Sequence, residues 1–378
     1  MDSKDYYGNI PWIHQKAWDW YHAQPWIRGY CGYPANAVNR IAMWQKYEHE
    51  KIFEQIDKEF ELAKRTGFNA VRAVIQFDVW YYEHESFMAH LEEYFSLAWK
   101  HGLKVMLVLG NDCTVAKSRW KPAVFGEQKI DWGYHSGIKG GQHAGDYKEP
   151  GYQLLDDPIF EPKYYEMVDE LAGKYGQDDR LQIWDVWNEP GNSNRDDMSL
   201  HAMEKFFEIL RKNRVQQPLT ADVWSSAFKP KAIEKRAMEL SDIITFHYYG
   251  SFDNMIRVIE QLKKYKRPLI CNEWFNRLEN NNIEQLFPLF YLEKIGSYCW
   301  GLMQGYSQTF EPWGIYYLRQ SQGEKLDLVK WQHDFYRFNG LPYIPEEIEI
   351  IKKFCAYADQ RDCEKADRMM NVIGNDGE

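Results

Sequence analysis

The sequence predicts an α/β protein folded as a (β/α)8 TIM barrel. Eight short apolar segments alternate along the chain with segments whose apolar residues recur at helical spacing. The apolar segments are nearly continuous rather than alternating with polar residues, as expected of parallel strands covered on both faces. Because the strand and helix pattern repeats eight times, we expect a closed parallel barrel rather than an open sheet.

The predicted elements follow one another in a regular order. The strands are Trp26–Tyr33, Phe68–Ile75, Leu103–Leu109, Leu181–Trp187, Leu219–Trp224, Ile243–Tyr248, Pro268–Glu273 and Gly296–Met303. The helices are Arg40–Arg65, Phe87–Lys100, Pro162–Tyr175, Met198–Lys212, Lys229–Leu240, Asn254–Tyr265, Ile283–Lys294 and Leu326–Phe338. Gly67 and Gly102 each follow a predicted helix, where glycine commonly ends the last turn.

Two segments lie outside this repeat. Residues 111–157 form a long, glycine-rich and aromatic-rich insertion after the third strand, and loops of this length are usually functional or disordered. The aromatic residues favour an ordered, functional loop. Residues 342–378 form a charged C-terminal extension with one amphipathic stretch, which we expect to pack on the outside of the barrel. No linker or change in composition divides residues 1–378, so we predict one domain, with the barrel at about 26–338.

Composition excludes several classes of protein. The 378 residues contain 46 Lys and Arg against 56 Asp and Glu, a net charge of −10 that argues against a nucleic-acid partner. No apolar run approaches the ~20 residues of a membrane-spanning helix, so no membrane association is expected. The six cysteines form no CxxC motif and no HExxH motif is present, so neither a zinc site nor a thioredoxin-like redox site is expected.

Cysteine usage and the N-terminus bear on location. Most of the cysteines lie in or beside apolar strands, where a free thiol behaves as a small hydrophobic group. The first ten residues lack the basic and then apolar pattern of a signal peptide. We therefore expect a cytoplasmic protein, or a periplasmic or secreted one if a signal peptide has been removed. Aromatic residues make up 16% of the chain, which fits a packed core and a sugar-binding cleft equally well.

Two strands deliver a glutamate at their carboxyl ends. Glu189 follows the apolar strand that ends at Trp187 and Asn188, and Glu273 ends the seventh strand. In a TIM barrel the active site lies at this face, so the two carboxyl groups converge across the mouth. Glycosidic bond cleavage requires such a pair, one neutral acid and one ionised carboxylate. The alternative is that each glutamate only stabilises the N-terminus of the following helix.

The segment Trp187-Asn188-Glu189-Pro190, with the later strand-end Glu273, resembles the clan A glycoside hydrolases and most closely their family 5, the cellulase and mannanase family. The resemblance extends over about Trp26 to Phe338. It implies a (β/α)8 barrel and a retaining β-glycosidase, with Glu189 as the acid/base and Glu273 as the nucleophile.

Further positions match the same family one by one. Arg72 corresponds to an arginine that supports the nucleophile, and Asn188 to an asparagine that contacts the sugar 2-hydroxyl. His247 and Tyr249 correspond to a His-x-Tyr motif whose tyrosine bonds the nucleophile and whose histidine contacts the acid/base or the substrate. Trp300 corresponds to the tryptophan beneath the cleaved sugar. For each residue the alternative is a structural role, in the core, on the surface or in a turn.

One part of the sequence departs from the family pattern. Family 5 usually has a histidine near the end of strand three, whereas this chain has Asn111 and Asp112 there. We expect these two residues to grip a sugar hydroxyl in its place.

The function predicted is a retaining glycoside hydrolase that cleaves β-glycosidic bonds of oligo- or polysaccharides through a covalent glycosyl-enzyme. This mechanism needs no metal and no organic cofactor. A transglycosylase on the same residues and a non-catalytic carbohydrate-binding barrel remain as alternatives. If the insertion closes the cleft, the enzyme trims chain ends, and if the cleft is open, it cuts inside a polymer. We favour the closed form. The sequence leaves open the sugar, the linkage and the oligomeric state.

Overall fold

The computed structural model describes residues 9–137, 139 and 149–375, with 365–375 as backbone only. Residues 138 and 140–148 of the predicted insertion, and the first eight residues, lie outside this description. The strands are β1 (Arg28–Cys31), β2 (Ala70–Val74), β3 (Lys104–Asn111), β4 (Leu181–Asn188), β5 (Leu219–Ala221), β6 (Ile244–His247), β7 (Leu269–Trp274) and β8 (Gly296–Trp300). All eight coincide with predicted strands.

The strands form a parallel barrel, as predicted. Their hydrogen-bonded order is β5-β4-β3-β2-β1-β8-β7-β6, so the pairing of β1 with β8 joins the first strand to the last. Between β5 and β6 the described backbone makes an isolated parallel bridge, Val223 to Phe246, instead of an extended ladder. The structure is therefore a nearly closed (β/α)8 TIM barrel.

Twelve helices are present in the described part of the chain. They are α1 (His14–Ala23), α2 (Arg40–Trp44), α3 (His49–Thr66), α4 (Phe77–Tyr82), α5 (His84–Lys100), α6 (Glu161–Tyr175), α7 (Leu200–Lys212), α8 (Ala232–Leu240), α9 (Phe252–Leu262), α10 (Ile283–Glu293), α11 (Gly314–Ser321) and α12 (Pro345–Asn375). None of these helices is long and apolar enough to cross a membrane.

Two predicted helices need correction. The segment predicted as Arg40–Arg65 is two helices, α2 and α3, separated by a turn in which Glu48 adopts a left-handed backbone with φ 53°. The predicted helix Leu326–Phe338 is wrong, because this segment is irregular and the last barrel helix is α11. Gln332, His333 and Asp334 are fully buried there, and Asp334 has φ 60°, so tertiary contacts override the helical pattern.

The barrel has two apolar layers. A small cluster inside the barrel contains Ile27, Met106, Ile183, Ile270 and Tyr298, and a larger one lies between the strands and the surrounding helices. The N-terminal helix α1 closes the amino end of the barrel, since Tyr21 belongs to the inner cluster. Its hydroxyl donates a 2.7 Å hydrogen bond to the carbonyl of Lys294. The carboxyl end of the barrel is left open to carry polar side chains.

The C-terminal helix α12 packs on the outside of the barrel. Its apolar face buries Ile348, Ile351 and Cys355 against α10 and α3. Arg28 at the start of β1 donates a 2.5 Å hydrogen bond to Asp359 on this helix. At its other end, Glu347 accepts from Arg277 in the loop after β7 at 2.6 Å. The helix α12 therefore runs along the side of the barrel, from the carboxyl end toward the amino end.

Candidate active site

The polar side chains at the carboxyl ends of the strands converge on one region. Arg72 lies in β2, Asn188 ends β4 with Glu189 directly after it, and Glu273 lies in β7. The strands are in register at this level, since His247 in β6 pairs with Glu273. Gly110 allows β3 to approach β4 closely at this level. It faces the ring of Trp187, and a side chain at position 110 would come within 2.3 Å of that ring.

Arg72 is the centre of a buried cluster. Its guanidinium donates to Glu273 Oε1 at 2.6 Å, to Asn188 Oδ1 at 2.6 Å, to Asp185 Oδ2 at 2.8 Å and to Asp222 Oδ2 at 3.2 Å. We call these five residues the Arg72 cluster. Charge-assisted hydrogen bonds of this kind fix both partners. The predicted contact between Arg72 and Glu273 is therefore present in the structure.

Solvent reaches only part of this set of carboxyl groups. The side chains of Asp185 and Asp222 are 0% exposed, whereas those of Glu189 and Glu273 are 13% and 7% exposed. The two aspartates therefore bond Arg72 inside the barrel, out of contact with solvent. The two glutamates face the cleft, where a substrate can meet them.

Glu273 is held at both oxygens. Oε1 accepts from Arg72, and Oε2 accepts a 2.8 Å hydrogen bond from the hydroxyl of Tyr249. Nδ1 of His247 lies 3.4 Å from Oε2. These donors stabilise the ionised carboxylate and fix its orientation toward the cleft.

Glu189 contacts the same nitrogen of His247 as Glu273 does. Its backbone has φ 46°, an unusual left-handed conformation for a residue before proline. Oε1 lies 2.8 Å from Nδ1 of His247, and Oε2 accepts from the thiol of Cys113 at 2.8 Å and from the amide of Asn192. Since one nitrogen of His247 contacts both glutamates, the two carboxylates meet within 4.8 Å.

The charges of the site shift the pKa values of its central groups. Burial raises the pKa of Glu273, and the charge of Glu189 adds to the rise against the opposing charges of His247 and Arg72. Burial also acts to raise the pKa of Glu189, but hydrogen bonding and charge from His247 outweigh it and lower that pKa. The pKa of His247 lies well above its usual value, because the carboxylates of Glu273 and Asp222 outweigh the effect of its burial.

These directions favour an imidazolium at His247 beside an ionised Glu189. Nδ1 of His247 then donates to Oε1 of Glu189 over 2.8 Å. The two side chains form an ion pair joined by one hydrogen bond, along which a proton can pass to Glu189.

The two residues predicted at the end of strand three have different surroundings. Asn111 accepts a 2.9 Å hydrogen bond from the amide of Asn188 and so orients it. Asp112 is fully buried and does not face the cleft. Its oxygens accept from Ser199 at 2.6 Å, from the backbone N–H of Gly191 at 2.7 Å and from Arg195 at 3.0 Å. Asp112 therefore holds the loop after β4, contrary to the expectation that it grips a sugar hydroxyl.

Aromatic side chains border the cleft near Glu273. Trp300, at the end of β8, is half-buried and meets Tyr33 edge to face with ring centroids 6.1 Å apart. Tyr249 meets Trp313 in the same way at 5.2 Å, and Trp313 lies 5.6 Å from His333. Trp313 and His333 come from the segments after β8 and extend the aromatic surface beyond the predicted residues.

The insertion after β3 crosses to the segment after β8. The backbone N–H of Gly133 donates to Gln308 at 2.7 Å, and Gln308 donates to the carbonyl of Asp131 at 3.0 Å. His135 lies 3.2 Å from the indole nitrogen of Trp313. Residues 131–137 and 304–313, joined by these contacts, form what we call the loop wall. The insertion also bonds the two residues that flank α2, through Asn39 to Gln128 and through Gln45 to the carbonyl of Gly126.

Several residues of the site were not predicted: Asp185, Asp222, Cys113, Asn192, Trp313 and His333. Asp222 follows β5 directly, so the rule that selected Glu189 and Glu273 at strand ends also applies to it. Asp185 lies three residues before Asn188 in a strand that is otherwise apolar, which is itself a signal of an inward-facing charge. The contacts of Cys113, Trp313 and His333 depend on loop conformation, for which the sequence carries no comparable pattern.

A parallel eight-stranded barrel with two glutamates converging from strands four and seven is the architecture of a barrel glycosidase. The family comparison agrees, since residues 33–295 match Cellulase (glycosyl hydrolase family 5). This match covers more than half of the chain, so the chain belongs to glycosyl hydrolase family 5 and is a retaining glycoside hydrolase. Among curated protein sequences, no significant match was found.

Solved structures support the same fold at low sequence identity. The GH5_18 enzyme from Streptomyces cattleya, in complex with Manβ1-4GlcNAc, has a TM-score of 0.58 at 10% identity, over 88% of this chain and 80% of that one. The exo-β-1,4-mannosidase from Opitutaceae bacterium strain TAV5 has a TM-score of 0.55 at 13% identity, over 89% and 60%. The family 5 mannosidase from Rhizomucor miehei has a TM-score of 0.54 at 12% identity, over 89% and 94%.

Proposed function

We propose that this protein is an exo-acting β-glycosidase that works by double displacement, with Glu273 as the nucleophile and Glu189 as the acid/base. The observation that carries the proposal is the approach of the two carboxylates within 4.8 Å around His247. Retaining glycosidases hold their carboxyl groups about 5–5.5 Å apart, whereas inverting enzymes need about 6.5–9.5 Å to admit a water between them. The spacing leaves no room for that water.

In the first step Glu273 attacks the anomeric carbon. The bond between that carbon and the glycosidic oxygen breaks, and the oxygen takes the proton from Oε1 of Glu189. His247, 2.8 Å from Oε1, supplies this proton to Glu189 as the substrate binds. The products of the step are the free leaving group and a covalent glycosyl ester on Glu273.

In the second step water resolves the ester. Glu189, now ionised, removes a proton from a water molecule, and the water oxygen attacks the anomeric carbon as the ester bond to Glu273 breaks. Two inversions at one carbon return the original configuration. Arg72 and Tyr249 bond the departing carboxylate at its two oxygens, which stabilises it as a leaving group.

The remaining side chains hold the sugar. Asn188 is fixed by Arg72 and Asn111, so its amide is oriented before the substrate arrives. The exposed part of Trp300 offers an apolar face at the end of β8, where it can lie beneath a pyranose ring. Such preorganisation restricts catalysis to one orientation of the bound sugar.

The loop wall supports action at chain ends. It joins the insertion after β3 to the segment after β8, and these strands lie on either side of β2 and β1 in the barrel. We infer that the wall closes one side of the cleft mouth to a passing polymer. Two of the structurally similar enzymes are named as mannosidases, so β-mannosides join β-glucosides as the first substrates to test.

The test is turnover of 4-nitrophenyl β-mannopyranoside, 4-nitrophenyl β-glucopyranoside and the corresponding β-1,4-linked oligosaccharides. Wild type is compared with Glu273→Gln, Glu189→Gln and the matched exposed control Glu349→Gln. We expect single sugars to be released with retained configuration, and a loss of about 10⁴-fold or more in Glu273→Gln. Proton NMR of the first product formed reports the configuration.

The proposal is wrong if the first product has the inverted configuration or if Glu273→Gln keeps wild-type activity. Products longer than the substrate would show transfer of the glycosyl group to another sugar instead of to water. If a sugar binds but no probe is turned over, the protein is a non-catalytic carbohydrate-binding barrel.

A further inference from the structure

The mechanism above gives no role to the thiol of Cys113, although this thiol contacts the acid/base. Sγ lies 2.8 Å from Oε2 of Glu189, and it accepts from the amides of Asn188 and Asn192 at 3.4 Å each. Because a carboxylate oxygen can only accept, the thiol hydrogen points at Oε2. Cys113 is half-buried, so it lies at the surface of the cleft and not in the core.

The backbone around Cys113 is fixed from both sides. Its N–H donates to the side chain of Asn111 at 2.9 Å. The next residue, Thr114, bonds Ser193 through its N–H at 3.1 Å and the carbonyl of Tyr152 through its hydroxyl at 2.6 Å. These bonds come from β3, from the loop after β4 and from the insertion. The thiol is therefore placed against Glu189 by three separate segments.

This contact divides the two oxygens of Glu189 between two tasks. Oε2 accepts from Cys113 and Asn192, so it is occupied by donors that are not consumed in the reaction. Oε1 meets only the ring nitrogen of His247 among these side chains, so it is the oxygen that gains and loses the proton. Fixing Oε2 holds the plane of the carboxyl group while Oε1 changes its protonation state.

We propose that Cys113 is a positioning residue for the acid/base, whose thiol anchors Oε2 of Glu189 so that the transferable proton is confined to Oε1. This inference rests on the function proposed above and adds a residue to it. The thiol touches Glu189 and does not act on the substrate. A cysteine is suited to this place because a thiol is a weak donor, and it holds the carboxylate without binding it as strongly as a hydroxyl would.

Other groups also act on the protonation of Glu189. The charged and titratable side chains around it come from five strands or the loops after them: Arg72, Cys113, Asp222, His247, Tyr249 and Glu273. All except Cys113 remain in place when the thiol is replaced. A change in pH dependence that separates two substitutions of Cys113 is therefore due to the donor at Oε2.

The first experiment compares Cys113→Ala, which removes the donor, with Cys113→Ser, which replaces it by a stronger one. The probes are the 2,4-dinitrophenyl and methyl β-glycosides of mannose and glucose, and Cys363→Ala is the exposed control. Methyl glycosides need protonation of the leaving group and dinitrophenyl glycosides do not. We expect Cys113→Ala to lose about 10-fold or more in kcat/KM on the methyl glycoside and to stay within about 2-fold on the dinitrophenyl glycoside.

The pH profile gives the second signature. Without the thiol donor the ionised form of Glu189 is less stabilised, so the proton of the pair shifts from His247 toward Oε1 of Glu189, and the pair keeps that proton to higher pH. The apparent pKa of the alkaline limb of kcat/KM is expected to rise by about one unit in Cys113→Ala and to stay the same or fall in Cys113→Ser. Equal losses on both leaving groups, with an unmoved alkaline limb in both variants, would show that Cys113 only fills space.

A third measurement does not require turnover and separates this inference from the proposed function. Iodoacetamide alkylation of Cys113 is followed by peptide mass spectrometry in wild type, Glu189→Gln and Glu349→Gln, with Cys363 as the internal reference. The Glu189 carboxylate opposes formation of a thiolate beside it, so Glu189→Gln is expected to speed alkylation of Cys113 several-fold. An unchanged rate would refute the contact itself, whether or not the enzyme cleaves any probe.

Discussion

The Arg72 cluster and the loop wall border the same cleft, but their side chains are held in different ways. In the cluster, one guanidinium from β2 bonds two groups of β4, one group of β7 and one group directly after β5. In the loop wall, Gln308 joins two segments about 175 residues apart in sequence through two hydrogen bonds. The strands alone bring the cluster together, whereas the wall exists only if two long loops meet.

This difference separates the chemistry from the choice of substrate. Barrel geometry brings the strand ends together whatever the loops do, so Glu273 and the groups that bond it are positioned by the strands. The loops then decide which ends of a sugar chain reach that place. Damage to the cluster should therefore abolish the reaction and weaken the fold, while damage to the wall should change what is cleaved.

The largest effect is expected from Arg72→Met. This change leaves the carboxyl groups of Asp185, Asp222 and Glu273 without their shared cation, and breaking a buried ion pair costs about 3–5 kcal/mol. We also expect kcat to fall by about 10²–10³-fold or more, since Glu273 loses a donor. Urea unfolding monitored by tryptophan fluorescence, together with kcat on the aryl glycoside, measures both.

Arg72→Lys is the matched control for this prediction. Lysine keeps the charge but cannot bond the four groups in the fixed geometry of a guanidinium, so it should recover part of the stability and little of the activity. If Arg72→Met unfolded within about 1 kcal/mol of wild type, the cluster would not be a structural centre and the comparison with the loop wall would fail.

The same contrast explains how much the sequence predicted. Glu189, Glu273, Arg72 and His247 could be placed because each lies in or directly after an apolar strand, and an apolar strand in a parallel barrel has only one end that faces the active site. The structure brings all four into contact. The eight strands themselves were predicted within a few residues from their apolar runs.

Two predictions that failed concern residues outside the strands. The predicted helix Leu326–Phe338 has helical spacing, but burial of Gln332 and His333 beneath Trp313 decides its conformation. Asp112 was predicted to face the cleft because it follows β3. Its hydrogen bonds to Arg195 and Ser199 instead bury it against the loop after β4. In both cases the partners are distant in sequence, and a single sequence does not reveal them.

The second prediction concerns two buried carboxyl groups beneath the loop wall. Burial raises the pKa of Asp334 to about 7 and that of Glu59 to about 8. Asp334 accepts from Thr309, and Glu59 accepts from the backbone of Ala35, whose carbonyl bonds Tyr306. Both acids are neutral in the folded state at pH 6, so the side chains that support the loop wall include two protonated carboxyl groups.

The sign of the pH dependence follows from these values. The unfolded chain releases both protons near pH 4, while the folded chain keeps them to about pH 7 to 8. The stability they contribute is therefore complete below pH 4 and is lost as pH rises to 8, by up to about 1.4 kcal/mol per pH unit for each group.

The variants Asp334→Asn and Glu59→Gln test this dependence. In each, the plot of unfolding free energy against pH should be flatter than that of wild type from pH 5 to 8, whereas Glu349→Gln should match wild type. Parallel curves for all variants would contradict the assignment.

The smallest effect is expected from Gln308→Ala, which removes the two hydrogen bonds between the insertion and the segment after β8. Gln308 is 1% exposed, and the loss of bonds to Gly133 and Asp131 should cost about 1–2 kcal/mol of stability. Turnover of an aryl glycoside should remain within about 2-fold, since the substitution leaves the Arg72 cluster intact.

The informative readout for Gln308→Ala is the products formed from a β-1,4-linked hexasaccharide. If the wall blocks the cleft, wild type releases single sugars, and the variant adds longer fragments as the wall loosens. Gln360→Ala, on the exposed face of α12, controls for the loss of a glutamine. An unchanged product pattern with an intact fold would mean that the wall does not limit chain length. The restriction to chain ends would then have to come from the strand ends, and the division between chemistry in the cluster and selection in the loops would not hold.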